Sequence, residues 1–86
     1  MKHWWLNFGA KARLGCTLIE CPTESIDDAV WLAWEYMCNP GDEVEGWIMP
    51  NDLVEKCKSN SVPFNVLISR ENIIKYGLCR ELSVRK

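Results

Sequence analysis

The sequence of 86 residues lacks the patterns that most catalytic and metal sites require. It contains one histidine, His3, although histidine is the commonest general acid or base at neutral pH. None of its five glycines forms a phosphate-binding loop of the GxGxxG or GxxxxGK type. Its five cysteines include no CxxC pair, which disfavours a zinc site, and their odd number disfavours a disulfide framework. We therefore expect no enzyme activity, no metal and no cofactor.

Long hydrophobic runs are also missing. No apolar stretch approaches the roughly 18 residues that a membrane-spanning helix needs. The first residues, MKHWWLNFGAK, contain neither the apolar core nor the small-residue cleavage site of a signal peptide. We expect a protein of the cytoplasm with no membrane partner, whose cysteines are buried or half-buried thiols.

Positive charge is absent from the middle of the chain. Residues 14–55 include ten acidic residues and no lysine or arginine. All ten cations lie in residues 1–13 and 56–86, so the net charge of −2 conceals a segregation along the sequence. If the segregation persists in three dimensions, the protein has an acidic and a basic pole.

The stretch 25–41, SIDDAVWLAWEYMCNPG, predicts the longest helix. Ser25 is a favourable N-cap. Asn39, followed by proline and glycine, is expected to end the helix in the left-handed conformation. Trp34 and Tyr36 fall at the edges of the inward stripe. At about 100° per residue, that stripe consists of Ile26, Ala29, Val30, Ala33 and Met37.

Alternating side chains predict strands over 2–8, 13–21, 42–49, 64–69 and 78–84, with a hairpin turn at 9–11. Gly15 indicates a bulge or a close backbone approach inside the second strand. Short helices are predicted over 53–58 and 70–76, the second beginning after Ser69 and ending at Gly77.

With 48% hydrophobic and 26% charged residues, the composition is that of a folded protein, and we expect residues 1–86 to form a single domain. The order of elements favours the α+β class. We predict a small, mostly antiparallel sheet of four or five strands, with the main amphipathic helix on one face and one or two short helices.

Five tryptophans are several times the usual number for this length, and some of them are expected on the surface. Large aromatic anchors within a charged rim are typical of protein interfaces. We therefore predict an acidic protein-binding surface that suits a basic partner. Its candidate residues are Asp27, Asp28, Trp31, Glu35, Asp42, Glu43, Glu45 and Trp47.

Two alternatives remain open. The chain termini carry aromatic and basic residues that could bind nucleic acid by stacking and phosphate contacts. The candidates for that role are Lys2, Trp5, Arg80, Arg85 and Lys86. The acidic surface could instead be the contact of a structural homo-oligomer.

The KHWWLNF and RLGCTLIEC hairpin, the DDAVWLAWEYMCNPG helix and the ending ISRENIIKYG, in so short a chain, resemble the small accessory proteins of bacteriophages. That group includes anti-CRISPR proteins. The resemblance implies a compact cytoplasmic inhibitor that binds a host enzyme, a nucleic-acid-handling complex or a defence complex. It assigns no residue a role.

Overall fold

The structure, a computed structural model, describes residues 1–78. Within these residues the strands are β1 (Lys2–Phe8), β2 (Gly15–Cys21), β3 (Val44–Ile48) and β4 (Leu67–Ile68), and the α-helices are α1 (Ile26–Glu35), α2 (Asn51–Ser59) and α3 (Arg70–Lys75). A short helical turn, Ala10–Ala12, joins β1 to β2. The strands form one antiparallel sheet in the order β3-β1-β2-β4. The α+β class is confirmed. The strand predicted over 78–84 lies, except for its first residue, outside the described part of the chain.

The central strand β1 is covered on both faces. Trp4, Leu6 and Phe8 belong to one hydrophobic cluster, whereas Trp5 belongs to the other. All four side chains are buried, as is the Asn7 side chain beside Trp5. Because successive strand residues point to opposite faces, each face requires its own cover. Helix α1 packs on the first face, as predicted, and α2 and α3 pack on the second.

Helix α1 approaches the sheet through small side chains. Ser25 caps the helix as predicted, since its hydroxyl accepts a hydrogen bond from the Asp28 N–H. Ala29 and Ala33 are fully buried against the cluster that β1 supplies. The prediction is wrong for the first and last residues of the inward stripe, because Ile26 and Met37 are exposed. Val30 and Leu32 are partly buried against the same cluster, whereas the fully buried bulky side chains of this layer come from the sheet.

The C-terminus of α1 differs from the prediction. The helix ends at Glu35, and Met37, rather than Asn39, takes the left-handed conformation, with φ 60°. The N–H of Met37 donates to the Trp34 carbonyl, and the N–H of Cys38 donates to the Ala33 carbonyl. These two bonds form a Schellman motif, which turns the chain out of the helical periodicity. Met37 therefore leaves the inward stripe.

A buried asparagine side chain lies on the second face of the sheet. The Asn7 side-chain oxygen accepts hydrogen bonds from Trp5 Nε1 at 2.6 Å and from the Cys16 thiol at 3.0 Å. The Trp5 ring also stacks on Trp47, with ring centroids 5.7 Å apart and planes 11° apart. Since a buried amide oxygen without a partner is costly, these bonds allow Asn7 to sit inside the sheet.

Gly15 lies where β4 meets β2, and the predicted close backbone approach is confirmed. Its φ is 104°, and a Cβ placed there would be 2.5 Å from the carbonyl oxygen of Ile68. Ile68 pairs with Cys16, the residue after Gly15. A side chain at Gly15 would therefore push β4 away from the sheet.

The left-handed turn at Met37 generates a stability prediction. A side chain in this conformation costs about 1–2 kcal/mol, whereas glycine adopts it freely. Met37 is exposed, so its removal loses little packing. We expect Met37→Gly to raise the free energy of unfolding by about 0.5–1 kcal/mol, measured by urea denaturation.

Two further variants control this measurement. Met37→Ala removes the side chain but keeps the strain, so its stability should match that of the wild type. Gly77 ends α3 with φ 77°, and a Cβ there would meet no atom within 4 Å. Gly77→Ala should therefore lower the free energy of unfolding by about 1 kcal/mol through the backbone alone. A Met37→Gly protein less stable than Met37→Ala would contradict the left-handed turn.

Candidate functional site

The outer side of α1 and the turn after it expose four large side chains. Trp31 is 64% exposed, Trp34 52%, Tyr36 49% and Met37 91%. We call these four residues the α1 aromatic surface. At about 100° per residue, the buried alanines place Trp31 on the opposite side of the helix, and Trp34 lies about 60° from it. Tyr36 and Met37 follow the last residue of the helix, so the helical spacing places Trp31 and Trp34 side by side and leaves the other two at the end of α1. Adjacent exposed apolar groups mark an interaction surface more often than a single one does.

Acidic residues border the α1 aromatic surface. Asp27 and Glu35 lie one helical turn before and after Trp31, and both are exposed. Asp28 accepts a hydrogen bond from the Thr23 hydroxyl at 2.6 Å. Among residues 1–78, no lysine, arginine or histidine forms an ion pair with these three carboxylates. Their charge is therefore available to a partner.

The other predicted acidic residues follow α1 in the chain. Asp42 forms an ion pair with Arg13 at 2.9 Å, and Glu43 precedes the edge strand β3. Glu45 and Trp47 pair with Asn7 and Trp5 in the sheet register. They therefore lie on the face that α2 and α3 cover.

Trp47 is consequently not an exposed anchor beside Trp31. It is half-buried on Trp5 and packs against the second cluster, and its ring N–H is buried without a hydrogen-bond acceptor in residues 1–78. The residues of the predicted surface that lie on α1 are Asp27, Asp28, Trp31 and Glu35.

The sequence prediction missed Trp34, Tyr36 and Met37 of this surface, and Trp34 is the one that lies on the helix beside Trp31. Assigning it to the edge of the buried stripe hid its spacing of three residues from Trp31, which places both rings on neighbouring positions of the helix surface. The ring of Trp34 lies close to Gly41, where a Cβ would be 3.4 Å from its edge. The chain after α1 therefore supports this ring without covering it.

The residues of the nucleic-acid alternative do not form an aromatic and basic cluster in the described part of the chain. Trp5 is fully buried, so neither face of its ring is free to stack on a base. Lys2 forms an ion pair with Glu24 at 3.1 Å. Arg80, Arg85 and Lys86 lie outside the described residues.

His3 and the thiols lie in packed surroundings. His3 Nε2 is 3.3 Å from a carboxylate oxygen of Glu20, without hydrogen-bond geometry, and its ring meets Phe64 edge-on at 5.5 Å. The four cysteines of residues 1–78 are buried, as expected for core thiols; they are Cys16, Cys21, Cys38 and Cys57. Burial raises the pKa of the Cys16 thiol to about 12 and also raises the pKa of Cys38. Thiolate, the nucleophilic form, is correspondingly scarce at neutral pH.

Residues 1–78 contain no group of three histidine, cysteine, aspartate or glutamate side chains arranged to hold a metal ion. Over the same residues, no helix has both the length and the apolar character needed to cross a bilayer. Comparisons with protein-family models, with curated proteins and with solved structures find no match to this chain. The surface itself therefore supplies the argument for function.

The buried Cys16 thiol predicts how stability depends on pH. Its folded-state pKa, about 12, lies above the ordinary value of 9.0, so the folded protein retains a proton that the unfolded chain loses. The free energy of unfolding should therefore fall as the pH rises from about 9 towards 12, by up to about 1.4 kcal/mol per pH unit from this group.

Denaturation with urea at several pH values across this range, on the wild type and on Cys16→Ala, isolates the contribution. The variant loses packing and is less stable at neutral pH, but its stability should decline less steeply above pH 9 than that of the wild type. Parallel curves for the two proteins would show that the thiol ionises equally in both states.

Proposed function

We propose that this chain is a non-catalytic protein-binding module that acts stoichiometrically through the α1 aromatic surface and its acidic rim. The observation that carries the proposal is Trp31, which is 64% exposed and stands one turn from Asp27 and one turn from Glu35. Tryptophan is the residue most enriched among interface hot spots. Two such rings side by side on one helix supply an anchor that a partner can cover.

The partner that this surface fits carries lysine or arginine beside apolar residues. A guanidinium group can stack on the Trp31 ring while it pairs with Asp27 or Glu35, which combines a cation–π contact with an ion pair. Met37 adds a flexible apolar contact at the end of the helix. Complementary charge also speeds association and rejects acidic partners.

A second copy of this chain fits the same surface poorly. A twofold contact would place Asp27, Asp28 and Glu35 of one copy near the same carboxylates of the other. Like charges across an interface oppose association. The charge of α1 thus favours a different, basic protein over a homo-oligomer.

A protein surface that normally holds nucleic acid has the required cations. We therefore place the partner among host nucleic-acid-handling or defence complexes, with the chain acting as an inhibitor in the cytoplasm. The resemblance to small bacteriophage proteins, including anti-CRISPR proteins, supports this choice. The acidic rim would compete with phosphate groups for the same cations.

The double variant Trp31→Ala, Glu35→Lys tests the proposal. We expect wild-type protein to retain a partner from a nuclease-treated bacterial lysate, and the purified partner to bind the variant about 30-fold more weakly or worse. Both side chains are exposed, so the free energy of unfolding should change little. Isothermal titration calorimetry at low and high salt measures the affinity and its electrostatic part.

The matched control is Glu55→Lys, Ile74→Ala, which makes the same kinds of change on exposed positions of α2 and α3. It should bind as the wild type does. Equal affinity of the wild type and the α1 variant would contradict the proposal, as would equal weakening by both variants. A retained partner that disappears on nuclease treatment would favour nucleic acid instead, and retention of the chain alone would favour a homo-oligomer.

A further inference from the structure

A basic cavity lies away from the α1 aromatic surface. It has a volume of about 500 Å³, opens to solvent and lies between the turn that joins β1 to β2 and the start of α3. Its lining consists of Ala10, Lys11, Arg13, Arg70 and Glu71. Three cationic side chains and one carboxylate therefore meet around one concave surface, in a size range typical of small-molecule sites.

Two of the three cationic side chains that line the cavity form no ion pair with residues 1–78. Arg13 forms an ion pair with Asp42 at 2.9 Å. Within residues 1–78, by contrast, neither Lys11 nor Arg70 forms an ion pair, and Glu71 pairs with neither of them. The positive charge of Lys11 and Arg70 thus remains available at the cavity.

The Arg70 side chain is anchored by its inner nitrogen. Its Nε donates a hydrogen bond to the Lys11 carbonyl at 3.2 Å, and its terminal nitrogens have no partner among residues 1–78. Lys11 and Ala12 both take the left-handed conformation, with φ 53° and 59°, and Ala12 is fully buried beneath the turn. The guanidinium group is therefore held against a fixed segment of main chain while its remaining donors stay open.

We propose that this cavity binds a phosphate-bearing ligand, with Arg70 and Lys11 as the principal contacts and Arg13 as a third. A guanidinium group presents paired donors that match phosphate oxygens, and two unpaired cations match the multiple charge of a phosphate chain. The lining contains no aromatic ring, so the cavity recognises phosphate rather than a base. This site shares no residue with the α1 aromatic surface.

Tripolyphosphate is the first probe, and a single-stranded oligonucleotide is the second. Calorimetric titration at about 0.05 M and 0.15 M salt should show saturable binding of at least one probe, weakened by added salt. Arg70→Gln should weaken that binding about 10-fold or more. Stronger binding of tripolyphosphate assigns the site to free polyphosphates, and stronger binding of the oligonucleotide assigns it to a nucleic-acid backbone.

Because Arg70 also bonds the turn, Lys11→Gln provides an independent variant. The Lys11 side chain is exposed and its Nζ has no partner among residues 1–78, so this change should preserve folding and weaken binding several-fold. Lys58→Gln removes one exposed charge of α2, outside the cavity lining, and should leave binding nearly unchanged. Absence of saturable binding to both probes would overturn the proposal. Equal weakening by Lys58→Gln and Lys11→Gln would overturn it too, because binding would then depend on net charge alone.

Discussion

The burial of β1 on both faces is the constraint on which the rest of the structure depends. Trp4, Leu6 and Phe8 fill one layer, and Trp5 fills the other, so both layers receive bulky side chains from the sheet. At the centre of its contact with α1, such a close-packed layer leaves room for small groups. The fully buried groups of α1 are Ala29 and Ala33. Val30 and Leu32 are partly buried against the same layer, whereas Trp31 and Trp34 are left exposed.

Local signals in the sequence were enough to predict the class and the approximate positions of the elements within residues 1–78. The strand predicted over 64–69 is the exception, because β4 covers only Leu67–Ile68. Gly15 and Gly77 indicated a close approach and a helix end, and both occur where expected. The details that failed depend on tertiary structure. Met37 carries no signal for a left-handed residue, so the end of α1 and the exposure of its last apolar side chain could not be predicted. Likewise, the face of Trp47 depends on which residue of β1 it pairs with.

The segregation of charge along the sequence persists only in part. The ion pairs Lys2–Glu24 and Arg13–Asp42 join the basic N-terminal segment to the acidic middle and remove charge from both. Carboxylates without an ion pair to residues 1–78 include those of α1, and cations without one include Lys11 and Arg70 at the cavity. The Arg13–Asp42 ion pair therefore joins a residue that lines the cavity to one of the predicted acidic residues.

The exposed tryptophans connect this packing constraint to the proposed binding. Burying a large apolar side chain contributes about 1.5–3 kcal/mol, and the folded chain forgoes most of this for Trp31 and part of it for Trp34. The chain cannot recover the difference by rotating α1, because the layer beneath Ala29 and Ala33 is already filled. A partner that covers the outer side of the helix can bury these side chains instead. Because the side chains of β1 fill the layer beneath α1, apolar area on the outer side of the helix stays exposed. Its burial by a partner can drive association.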